Sequence, residues 1–121
     1  PWKINGTNIS TSRNIGTGQS NTISITASEG SSGSYAAKIC LDYRGGGLGG
    51  WYLPSDDELH ELCLSRVLVG GFNTTDQFYW SSSAYSPTND NYAWVWNFTD
   101  GSDNFGNAIS NICYVRCVRS F

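Results

Sequence analysis

The run Gly50-Trp51-Tyr52-Leu53-Pro54-Ser55-Asp56-Asp57-Glu58-Leu59 constrains the fold more than any other part of the chain. Ser55 offers a hydroxyl to the amide of the third helical residue, and Glu58 can return a carboxylate to the Ser55 amide, while Pro54 keeps the backbone before them extended. An extended segment must therefore turn sharply into a helix here. That helix is predicted from Asp56 to about Val67, with Leu59, Leu62, Cys63 and Arg66 on one face, before Gly70-Gly71 stops it. A shorter helix is predicted at about 34–43. Tyr35, Ala36, Ile39, Cys40 and Tyr43 recur there at helical spacing, and the glycine run from Gly45 to Gly50 ends it.

Elsewhere the pattern is strand-like. Asn21-Thr22-Ile23-Ser24-Ile25-Thr26 alternates and reads as a short half-buried strand. Three antiparallel strands are expected at 78–81, 93–98 and 112–118, separated by loops rich in Asn, Asp, Ser and Gly. In the last of these, alternation puts Cys113, Val115 and Cys117 on one face, so both sulfurs can reach the helices that carry Cys40 and Cys63. The expected bridges are Cys40–Cys117 and Cys63–Cys113, one of three pairings that four cysteines allow. The fold class is α+β.

The 121 residues suit one domain with a single core. Charged residues are only 14%, and Gly, Ser, Thr and Asn supply most of the polarity, a balance suited to an extracellular β-rich protein. A net charge of −3 speaks against nucleic acid, although seven basic residues can still form a local patch. The cysteines lack the spacing of a zinc site and His60 is the only histidine, so disulfides in an oxidising compartment are expected. No apolar run approaches the ~20 residues that cross a bilayer. The chain opens on Pro1, as expected of a fragment or processed product, and any signal peptide lies outside it.

Five ordered motifs carry a resemblance over roughly residues 15–121. They are Ile15-Gly16-Thr17-Gly18, Gly33-Ser34-Tyr35-Ala36-Ala37-Lys38, the Trp51–Leu59 run, Tyr79-Trp80-Ser81-Ser82-Ser83, and Tyr114-Val115-Arg116-Cys117-Val118-Arg119. Together they resemble a bacterial surface-domain family that includes the C-terminal domain of the Legionella collagen-like adhesin. The resemblance implies a C-type-lectin-like fold, with two short helices on a small twisted antiparallel sheet and long loops on one side. It also implies a non-catalytic adhesive role, binding of sulfated glycosaminoglycans, a secreted or cell-surface location, and trimers below a collagen stalk. Residues 1–14 are then expected to be an extended lead-in from that stalk. Formylglycine-generating enzymes and phage receptor-binding proteins use a related fold, so fold alone does not settle function.

Each motif with chemical potential has a plainer reading. Asp56, Asp57 and Glu58 sit adjacent on a first turn and fit the helix dipole, not a pair of carboxylates astride a glycosidic bond. No nucleophile signature surrounds Ser81, Ser82 or Ser83, and His60 reads as a solvent-facing helix residue. With all four cysteines in disulfides, no reactive thiolate is left. No cofactor is expected. Calcium is the lesser alternative: Asp90, Asp100, Asp103 and Asn104 could supply hard oxygens, but Asp100-Gly101 is also an ordinary turn signal. Four Asn-x-Ser/Thr sequons, at Asn5, Asn8, Asn73 and Asn97, read as chance in a bacterial protein.

For an anionic glycan the informative residues are Lys38, Arg44, Arg116 and Arg119, brought near one another by the Cys40 bridge, because Arg grips sulfate bidentately. Tyr85 and Tyr92 are the aromatic ligand candidates. Trp94 and Trp96 share a strand face, and at least one is assigned to the core. The expected function is adhesion to sulfated or acidic polysaccharide. The alternative is a trimerisation or receptor-binding module at the tip of a fibrous protein. An enzyme would require an unpaired reactive cysteine.

Overall fold

The computed structural model describes residues 1–4, 9–72, 78–86, 89–108 and 111–120. Its helices are α1 (Gly18–Glu29), α2 (Ala36–Asp42), α3 (Asp56–Leu64) and α4 (Arg66–Val69). Its strands are β1 (Trp51–Tyr52), β2 (Phe78–Ser86), β3 (Asn89–Asn97), β4 (Asp103–Ala108) and β5 (Val118–Arg119). They form two antiparallel sheets, one ordered β2-β3-β4 and one pairing β1 with β5. The molecule is thus a mixed α+β domain of short helices and two small sheets.

The turn into α3 forms as its residues dictate. Glu58 N donates to Ser55 Oγ at 3.3 Å, and Ser55 N donates to Glu58 Oε1 at 2.8 Å. The same carboxylate also accepts from Gly16 N and Gly18 N, at 3.0 and 3.1 Å, which ties the start of α1 to the start of α3. Gly18 permits that approach: a Cβ there would lie 2.3 Å from Glu58 Oε1 and 2.9 Å from the Leu53 carbonyl. The predicted helix to Val67 breaks at Ser65 into α3 and α4, and Gly70 ends α4 at a φ of 73°.

The strand expected at 21–26 is instead the middle of α1. Gly18, Asn21, Thr22, Ile25 and Glu29 are buried, a helical stripe, while Ile23 is exposed. This stripe is largely polar, so no apolar periodicity announces it. Its hydroxyl and amide groups are used in the fold: Thr22 Oγ1 donates to the Gly18 carbonyl and accepts from Leu53 N, and Asn21 exchanges hydrogen bonds with the Ser12 backbone. Tertiary partners override the β-propensity of Ile and Thr.

Two further expectations change. The described residues of the expected lead-in, 1–4 and 9–14, are packed into the domain instead, for Trp2 and Ile9 lie in the main core and Trp2 Nε1 donates to the Ser81 carbonyl at 2.7 Å. Residues 112–118 are not the third strand of the main sheet, a place taken by β4. Only Tyr114 bridges β2, with its amide donating to Phe78 O and its carbonyl accepting from Trp80 N. The chain then leaves toward α2, where Cys117 is bonded to Cys40 at a Cα–Cα distance of 5.3 Å, and ends by pairing with β1.

The core has two parts. The larger gathers Trp2, Ile25, Tyr35, Leu53, Trp80 and Val95 among others; the smaller holds Leu59, Cys63, Tyr79, Trp96 and Phe98. Cys63 belongs to the second and Cys113 packs against the first, so the expected Cys63–Cys113 bridge is not made.

Candidate binding cleft

The residues with catalytic potential are absorbed by the fold. Asp56 is buried, with Oδ1 accepting from Trp96 Nε1 at 2.8 Å and Oδ2 accepting from Arg13 Nε and Nη2 at 2.9 and 2.8 Å. Both carboxylate oxygens thus have structural donors. Ser81, Ser82 and Ser83 are fully buried: Ser81 Oγ donates to Trp94 O, Ser82 Oγ accepts from Asn21 Nδ2, and Ser83 Oγ donates to Ser12 O while accepting from Asp56 N. Small hydroxyl side chains here let the helices approach the sheet without orphaning backbone groups. None of them faces an acid–base pair.

His60 is half-buried rather than solvent-facing, its ring stacked on Trp96 at 4.1 Å with the planes 5° apart. Cys63 is a buried thiol, contrary to the expectation of two disulfides. Burial pushes its pKa up, opposed in part by Arg66, so it stays protonated. A thiol so placed is a poor nucleophile. Of the calcium candidates, Asp100 has Oδ1 engaged by Ser102 N and Oγ, which holds its carboxyl below the usual range. The side chains of Asp90, Asp103 and Asn104 lie outside the described residues, among which no cluster of metal-ligating groups occurs.

One cleft, of about 650 Å³, brings together two of the expected ligand residues. Its wall is the C-terminal run Val115–Arg119, held down by the cystine. Tyr43 at the end of α2, Trp51 of β1 and apolar residues of α2, α3 and α4 complete it. Arg116 and Arg119 both line it, and among the described residues no acidic side chain does. The guanidinium of Arg116 lies 4.5 Å from the Phe72 ring centre, with Nη1 donating to Gly71 O at 3.3 Å. Arg119 Nε donates to Gly49 O at 3.0 Å. Neither has a carboxylate partner among the described residues, and each guanidinium has further N–H groups to offer.

The expected ligand residues therefore separate into two groups. Arg44 stands beside Gly49, whose carbonyl accepts from Arg119, but does not itself line the cleft, and its Nη1 caps α2 through the carbonyls of Leu41 and Tyr43. Lys38 lies elsewhere, ion-paired with Asp42 in a smaller hollow of about 360 Å³ between α1 and α2. Tyr85 and Tyr92 are half-exposed on β2 and β3 of the main sheet and are not part of the cleft. Tyr43 and Trp51, which flank the glycine run, are the aromatic pair that the cleft does contain. Their signal in the sequence is that bracketing position, masked by the equally good reading of both as helix and motif core.

The family model described as the Lcl C-terminal domain matches residues 4–119. Searches among curated proteins and among solved structures return no match. Among the described residues no helix is long and apolar enough to cross a membrane.

Proposed function

Because the chain belongs to the Lcl C-terminal domain family, matching it from residue 4 to residue 119, we propose that it is a non-catalytic adhesion domain of the bacterial cell surface that binds sulfated or otherwise acidic polysaccharide. We read its α+β layout as C-type-lectin-like. The observation that carries the ligand class is the cleft itself: among the described residues two arginines and no acid line it, in a chain whose net charge is −3. Guanidinium groups that have no carboxylate partner among the described residues, on an otherwise acidic protein, are where an anionic chain finds its complement. Arg44 extends this basic edge. Binding needs no metal in this reading, so a chelator leaves it unchanged.

Heparin binding measured across a salt series tests the proposal. Affinity is expected to fall steeply with salt, and Arg116→Ala with Arg119→Ala to weaken it about three- to tenfold each, as exposed charge-assisted contacts do. Affinity indifferent to both salt and the double substitution would reject the cleft as the site.

A second reading, a trimerisation or receptor-binding module, draws on one observation. Leu64, Val67 and Leu68 at the junction of α3 and α4 are 65, 89 and 91% exposed, an apolar patch of the kind that subunit contacts cover. A stable trimer by light scattering, with no retention on heparin, favours it over the first. A trimer that also retains heparin accommodates both, since repeated weak sites gain through effective concentration.

A further inference from the structure

Resting on the reading of the cleft as an acidic-glycan site, we propose that Tyr43 and Trp51 form its sugar-ring platform, so that it selects a pyranose chain bearing carboxylate or sulfate groups over a polyanion without rings. The two side chains line the cleft but belong to neither core cluster, and Tyr43 is 47% exposed. Their ring centres are 5.0 Å apart with the planes at 71°, an edge-to-face pair that leaves a concave angle between two aromatic faces. Apolar C–H faces of a pyranose ring fit such an angle, and a chain of alternating charge and flexible linkage has nothing to place there.

Both rings are fixed before any ligand arrives, which lowers the entropic cost of binding. Trp51 Nε1 donates to Leu48 O at 2.9 Å. Tyr43 lies over Gly45, where a Cβ would come within 2.2 Å of the phenol oxygen. The glycine run is thus the bare surface on which the tyrosine rests. The platform is also coupled to the charge: Trp51 pairs directly with Arg119 across the β1–β5 ladder. Side chains of directly opposed residues project to the same face with their Cβ atoms about 5 Å apart. A ring stacked on Trp51 therefore has its acidic substituent beside the Arg119 guanidinium, so stacking and ion pairing act on a single sugar unit.

The test compares a heparin hexasaccharide with poly(vinyl sulfonate), which carries similar charge and no rings, on the wild-type domain, Tyr43→Ala, Tyr43→Phe and Gly45→Ala. Tyr43→Ala is expected to weaken hexasaccharide binding about three- to tenfold and to leave poly(vinyl sulfonate) binding unchanged. Tyr43→Phe retains wild-type affinity for both. Gly45→Ala, which evicts the ring while keeping the phenol, reproduces the selective loss and serves if Tyr43→Ala fails to fold by circular dichroism. Equal effects on the two ligands, or none on either, overturn the platform while leaving the ionic site standing. Failure of the wild-type domain to bind either polyanion overturns the underlying reading and the platform with it.

Discussion

At the residue scale the domain is organised by single side chains that satisfy several distant backbone groups. Glu58 is the clearest: one carboxylate accepts from the amides of Ser55, Gly16 and Gly18. Charge-assisted bonds of this kind contribute about 1.5–3 kcal/mol each to buried partners, less where water competes. Glu58 is only half-buried. Glu58→Ala is therefore expected to destabilise by about 2–3 kcal/mol, and Glu58→Gln by less, as read from urea denaturation midpoints at unchanged m-value. The half of this role that forms the capping box was legible, because Ser55 and Glu58 are three residues apart and the geometry is local. The half that reaches Gly16 and Gly18 was not, since nothing in a local pattern shows which loop will be docked on a helix start 40 residues away. Cys63 teaches the same lesson: an even cysteine count favours complete pairing, but which core cluster a cysteine joins is a tertiary outcome.

At the element scale, α2 and the start of α3 follow their apolar spacing and caps, while α1 does not. Its buried stripe consists of a glycine, an asparagine, a threonine, an isoleucine and a glutamate, so strand-like alternation of Ile and Thr is the stronger local signal and the wrong one. The distinction has a measurable consequence. In a strand Ile23 and Ile25 would share a face, whereas in α1 Ile25 is fully buried and Ile23 is 55% exposed. Ile25→Ala is expected to cost about 2–4 kcal/mol and Ile23→Ala less than about 0.5, measured by thermal or urea denaturation. Similar costs at the two positions would contradict the helix. The last expected strand failed for another reason: its residues have the right alternation, but only Tyr114 meets the β2 edge, in a parallel bridge to Tyr79, and Cys117 is bonded away toward α2.

At the scale of the whole molecule, the cleft is assembled from segments that the sequence keeps far apart. Arg116 and Arg119 stood out in the sequence because cations are scarce in this chain, and the Cys40–Cys117 bridge holds the segment that carries them against α2. Tyr85 and Tyr92 lie on the main sheet and Tyr43 and Trp51 in the cleft, a difference hidden in the sequence because aromatics on a sheet and aromatics beside a glycine turn look alike in one dimension. The cystine closes a loop of 77 residues in sequence separation, and constraining a chain of that length is worth about 4 kcal/mol. Non-reducing peptide mapping is expected to recover Cys40 joined to Cys117 with Cys63 as a thiol, and reduction to lower stability by roughly that 4 kcal/mol. A map joining Cys63 to Cys113 would overturn the arrangement of the two core clusters.

Arg116 and Arg119 stand one residue before and two after a sulfur that is covalently fastened to α2. In the proposed reading, tension on a glycan strand held by these side chains passes almost at once to a bond that does not peel, instead of unzipping the two-residue ladder beside it. Under flow, such an anchorage is expected to let go at the ligand before the domain itself comes apart.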